Sequence, residues 1–96
     1  MSRQTIFKFR LYVAGDAQNA ALALANIRAM CLAHAPGRHE IEVVDVFRHP
    51  KRALADGIFM TPTLVRLLPL PTRRIVGTLS QTGNMAQLLG LAGEHA

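Results

Sequence analysis

Apolar and polar residues alternate along IFKFRLYV, residues 6 to 13: Phe7, Phe9, Leu11 and Val13 fall on one side, Lys8, Arg10 and Tyr12 on the other. A two-residue period is what a strand shows when one face lies on a core. Gly15 and Asp16 then supply a turn, with Asp16 placed to accept from the free amides that open a helix. From Asn19 to His34 the period lengthens. Ala20, Leu24, Ile27 and Cys31 are spaced four, three and four, one stripe along a helix, and Pro36 and Gly37 end it. EIEVVDVF, residues 40 to 47, is rich in β-branched residues and bounded by turn formers, so it reads as a second strand. Two strands joined through a helix predict a right-handed βαβ unit with its strands parallel.

Beyond residue 47 the segments shorten. HPKRALADG, residues 49 to 57, predicts a short helix that Pro50 opens and Gly57 closes. In TPTLVRLLPLP, residues 61 to 71, Thr63 to Leu68 has strand composition, and Arg73 to Leu79 supplies another strand. Pro69 and Pro71 hold the connection in an extended, donor-poor form. The tail SQTGNMAQLLGLAG puts Met85, Leu88, Leu89 and Ala92 on one helical face, weakened by Gly83, Gly90 and Gly93, each at about 1 kcal/mol relative to Ala. The resulting order, βαβαββα, is that of an α/β thioredoxin-like domain, with strands 1 and 2 parallel, strands 3 and 4 a hairpin and helices on both faces. Thr61-Pro62 stands just before strand 3, where that fold commonly holds a cis peptide.

Ninety-six residues with no repeat make one domain, residues 1–96. No apolar run approaches the roughly 20 residues of a membrane span, and MSRQTIFKFR lacks the apolar region of a signal peptide, so a cytoplasmic location is expected. Eleven Lys and Arg against six Asp and Glu give a net charge of +5, which favours an acidic partner. An acidic protein surface fits better than nucleic acid, because the basic residues are scattered and no basic helix with interleaved aromatics exists.

The residues that chemistry would need are missing. A dithiol enzyme requires Cys-x-x-Cys between strand 1 and helix 1, and that segment is AGDAQNAAL; the lone Cys31 sits among Ala29, Met30 and Leu32 as a packing residue. His34, His39 and His49 lie in or beside loops without zinc-ligand spacing. Glu40 and Glu42 fall on one side of strand 2 and Asp45 on the other, which spoils a paired-carboxylate site. No phosphate-cradling glycine loop is present, and no cofactor is expected. A noncatalytic binding module is left. Arg66, Arg73 and Arg74, grouped about the proline hairpin with Leu67, Leu68 and Leu70, are the first candidates for partner contact, joined by Lys51 and Arg52 on the short helix.

LYVAG at 11 to 15, VVDVFRHP at 43 to 50, TPTL at 61 to 64, LP-x-P at 68 to 71 and RRIVGTLS at 73 to 80 are similar to the KaiB family, the small clock proteins of cyanobacteria and their relatives in other bacteria. The resemblance implies two folds for one chain: a ground state, usually tetrameric, arranged βαββααβ, and a rarer thioredoxin-like monomer. It further implies that the second form binds the hexameric ATPase KaiC, and that the complex captures KaiA or displaces a histidine kinase. On that basis residues 1–47 form a stable βαβ half and residues 48–96 a fold-switching half, with Thr61, Pro62, Pro69, Pro71 and Gly77 as conformational elements. Self-association as a dimer or tetramer is expected. Leu70 stands where the family has a middle proline, Thr78 where it has an acid, and Gly57 where it has a lysine. A signalling or stress-response adaptor outside any clock is the alternative, with a basic nucleic-acid-binding domain behind it.

Overall fold

Alternation along the first strand determines what lies on each side of the sheet. The computed structural model describes residues 5–80 and 82–91. Strand β1 (Phe7–Val13) runs parallel to β2 (His39–Asp45) on one side and antiparallel to β3 (Thr63–Leu68) on the other. Strand β4 (Arg73–Val76) completes a four-stranded sheet of order β2-β1-β3-β4. The parallel pair is joined through α1 (Gln18–His34), a crossover long enough to return the chain to the same end of the sheet. Phe7, Phe9, Leu11 and Val13 are buried on the α1 side with Ala23, Ile27, Met30 and Cys31. Helix α3 (Thr82–Leu88) covers the rest of that face through Ala86, with Leu89 and Leu91 just beyond its end. On the opposite face Tyr12, Val44 and Val65 pack with Ala53 of α2 (Pro50–Ala55) and Ile58. The fold is α/β and thioredoxin-like, in the element order βαβαββα.

Local details depart from the sequence expectation for identifiable reasons. Asp16 does not cap α1; Ala17 holds that position with no side-chain bond. The neighbouring turn is tied by Asp45 instead, whose Oδ1 accepts from the Gly15 amide at 3.1 Å and the Phe47 amide at 2.9 Å. Strand β2 ends at Asp45, not residue 47, because the chain turns there: the Asp45 carbonyl accepts from the Arg48 and His49 amides. Strand β4 stops at Val76, where Gly77 takes φ +118° and its amide donates to the Pro62 carbonyl at 2.9 Å. Thr61-Pro62, Leu68-Pro69 and Leu70-Pro71 are cis. In α1 the fully buried stripe is Ala23, Ile27, Met30 and Cys31, whereas Ala20 and Leu24 sit at its partly buried rim. In the last helix Ala86 is buried and Leu88 exposed, with Leu89 buried just past its end; Ala92 and Gly93 lie outside the described residues. No helix among the described residues is long and apolar enough to cross a membrane.

Candidate functional site

The face of the sheet that carries α2 is held by a polar network. Arg10, on the even side of β1, donates from Nε to Glu42 Oε1 at 2.8 Å and from Nη1 to Asp56 Oδ2 at 3.1 Å. Glu42 is its cross-strand partner in β2. Arg52 reaches down from α2 to the other Glu42 oxygen at 2.9 Å, and the Tyr12 hydroxyl donates to Asp56 Oδ2. Tyr12 is wholly buried, so its phenol requires such an acceptor. Burial, reinforced by the bond to Asp56, pushes the Tyr12 hydroxyl above its usual pKa. The Tyr12 hydroxyl and then Arg10 hold Asp56 below the usual carboxylate range; Arg10 and then Arg52 do the same for Glu42. Asp56 thereby fixes the end of α2 to the middle of the sheet.

Period two divides the predicted arginines. In the β3–β4 hairpin Val65 pairs with Arg74 and Arg66 with Arg73, and residues directly opposite in a ladder share a face. Arg74 belongs to the α2 face, where its Nη1 donates to the Gly57 carbonyl at 3.3 Å; Arg73 belongs to the α1/α3 face beside Arg66. The expected single patch of three arginines is therefore two separate sites. Arg66 is not offered to solvent at all: it is 6% exposed, and its guanidinium donates to the Leu89 and Pro71 carbonyls. Lys51 is exposed on α2, while Arg52 is half-exposed and engaged by Glu42. Of the conformational candidates, the structure joins Pro62 to Gly77 through a backbone bond and Pro71 to Arg66. Thr61 and Pro71 are exposed, Pro69 is half-buried and Pro62 is buried.

Around Arg74 lies a surface that residue types alone did not reveal. Phe59 is 88% and Met60 63% exposed in the loop between α2 and β3, with Val76 half-exposed on β4. With Ile58, Thr63 and Arg74 they line a shallow groove of about 160 Å³ that Gly57 floors. Leu54 on α2 is also exposed. The signal for it in the sequence is the apolar pair Phe59-Met60 in a loop between Gly57 and Pro62, next to Ile58, which turns into the core. Gly57 takes φ +66°, and a side chain there would meet the Arg74 guanidinium at 3.5 Å.

The described residues bring together no group of three or more His, Cys, Asp or Glu able to hold a metal ion. Cys31 is buried and its thiol is pushed up to about 11 by that burial, the opposite of a nucleophile's environment. His39 bonds the Ala35 carbonyl through Nδ1 at 2.8 Å, a structural contact at the turn after α1. The arrangement suits contact with another macromolecule: exposed aromatic and thioether side chains beside a planar cation.

The KaiB domain profile matches residues 10–91. The chain belongs to the KaiB family. It is 39% identical over 82 residues to the circadian clock protein KaiB3 of Synechocystis, covering 85% of this chain and 78% of that protein. It is 38% identical over 91 residues to the circadian clock oscillator protein KaiB of Synechococcus elongatus, covering 95% of this chain and 87% of that one. Among solved structures, the N-terminal domain of Synechococcus elongatus SasA superposes with a TM-score of 0.74 at 16% identity, over 100% of this chain and 94% of that one. Chloroplastic thioredoxin z gives a TM-score of 0.70 at 17% identity, over 91% and 80%. At such identities these two likenesses speak to the fold, which is that of thioredoxin without its Cys-x-x-Cys.

Proposed function

We propose that this KaiB-family chain is a noncatalytic clock or timing regulator that docks on a KaiC-like hexameric ATPase and modulates its phosphorylation cycle or output. The observation that carries the reading is the exposed Phe59, Met60 and Val76 beside Arg74, on a chain of that family. Buried aromatic and Met anchors with an arginine at the edge form the usual energetic centre of a protein interface, and a net charge of +5 favours an acidic counterpart. Lys51 is exposed on the adjacent helix and adds to the positive charge of the chain. Arg73 belongs to the other face and contributes less.

The same reading carries the expectation that residues 48–96 rearrange between two packings while residues 1–47 stay fixed. A domain's stability is typically about 5 to 15 kcal/mol, so two arrangements of one half can lie within a few kcal/mol, and a partner that binds one of them shifts the population. KaiA or a histidine kinase of the SasA type would then compete for or join the docked form, and free chains would associate as dimers or tetramers. Titration of the labelled chain with the KaiC-like ATPase of its own host, read by anisotropy and by complex mass, tests the proposal. Saturable binding weakened by F59A supports it; no complex with the ATPase in any nucleotide state refutes it. Binding to nucleic acid with steep salt dependence would instead favour the basic-domain alternative.

A further inference from the structure

Among the described residues Arg66 is the one buried charged side chain, and no carboxylate among them bonds it. Its Nη1 donates to the Leu89 carbonyl at 2.9 Å, its Nη2 to the Pro71 carbonyl at 2.6 Å, and its Nε is buried with no partner. Leu89 and Pro71 lie far apart in sequence. The first is at the end of α3, the second in the β3–β4 connection.

The geometry at the helix end explains why a cation suits it. The Leu91 amide donates to the Ala86 carbonyl at 2.8 Å and the Gly90 amide to the Gln87 carbonyl at 3.0 Å, a Schellman turn with Gly90 in the left-handed region at φ +75°. That turn satisfies two of the carbonyls a helix leaves open at its C-terminus, and Arg66 takes the carbonyl of Leu89 at the negative end of the helix dipole. Gly90 also makes room: a Cβ there would lie 3.1 Å from Arg66 Nη1 and 4.0 Å from the Phe7 ring. Ala86, Leu89 and Leu91 bury three apolar side chains on this face, so docking of α3 couples directly to the position of one guanidinium.

We propose that Arg66 is a clamp that fixes the C-terminal helix to the β3–β4 hairpin, and that α3 is the element released when the clamp opens. Neutral carbonyls compensate a buried cation less well than a carboxylate would, and Arg73, directly opposite in the ladder, adds like-charge repulsion. Burial first and Arg73 second lower the Arg66 pKa, the direction expected of a cation held where charge is unwelcome. The guanidinium is thus bonded at two of its three nitrogens and left without a countercharge. The clamp stands on this geometry; the release of α3 and its use in docking rest on the rearrangement proposed above.

Hydrogen exchange of the full chain without any partner tests the clamp independently of ATPase binding. In Arg66→Met the amides of Leu89 and Leu91 should exchange roughly tenfold faster, those of Phe9 and Leu11 at the wild-type rate. Arg66→Lys, whose single ammonium reaches one carbonyl but not both, should fall between them, and it serves if the Met variant does not fold. Unchanged exchange in α3, or equal acceleration in β1, overturns the proposal.

Discussion

The two faces of the sheet solve the same problem with opposite chemistry. On the α2 face Arg10, Glu42, Arg52, Asp56 and Tyr12 form one connected set in which both arginines meet a carboxylate, with Arg74 outside it on the Gly57 carbonyl. On the α1/α3 face the core is apolar apart from Arg66, whose partners are carbonyls. Breaking the first set leaves buried polar groups stranded and should be felt throughout the domain. Breaking the second removes a tether between α3 and the hairpin and should be felt locally. The difference teaches where this chain is committed and where it is held by a single side chain.

The largest effect is expected from Asp56→Ala. It strips the acceptor from the buried Tyr12 hydroxyl and one acceptor from Arg10, and a stranded buried donor costs about 1–3 kcal/mol. The midpoint of urea unfolding should fall accordingly, with Tyr12→Phe recovering part of the loss in the Asp56→Ala background. Next comes the localised loosening of α3 in Arg66→Met, which should leave that midpoint changed by less than Asp56→Ala does. If Arg66→Met proves the more damaging globally, the contrast between the faces is wrong.

Acid provides a smaller and reversible probe. The carboxyls of Asp56 and Glu42 ionise more readily in the folded chain than in the unfolded one. Their contribution is therefore complete above the ordinary carboxylate value of about 4 and is lost as pH falls through the lowered folded values. The stability gap between wild type and Asp56→Ala should narrow below about pH 4, read from urea midpoints across pH. Glu42→Gln should have the smallest effect, since Glu42 is half-exposed and exposed pairs contribute roughly 0 to 1 kcal/mol.

Alternation in residues 6 to 13 and the helical stripe after it made the βαβ half readable, because each segment has one dominant period and one core to face. The rest of the βαβαββα order was readable from strand composition and from the prolines and glycines that bound the segments. What failed were features that depend on contacts across the chain. Asp16 looked like a cap, but the turn it occupies is tied by Asp45, thirty residues away. Arg66, Arg73 and Arg74 are near in sequence, yet the hairpin register sends Arg74 to one face, Arg73 to the other, and Arg66 inside. The same period that located strand 1 would have separated Arg73 from Arg74 had the strand been given a register. Arg66 could not have been found that way, because its burial depends on α3. The Phe59–Met60 surface has no sequence signature since a loop has no period; the exposure of both side chains in the described structure marks it.

A paired charge reversal tests the docking claim most directly. Arg74→Glu and Arg73→Glu alter neighbouring residues by the same chemistry but on opposite faces, so titrating each against the KaiC-like ATPase separates the surface from the net charge. The account predicts that Arg74→Glu weakens binding by about tenfold or more while Arg73→Glu changes it only a few fold, as reversing a charge that borders the apolar anchors differs from reversing a remote one. Equal weakening by both variants, or none by either, would contradict it.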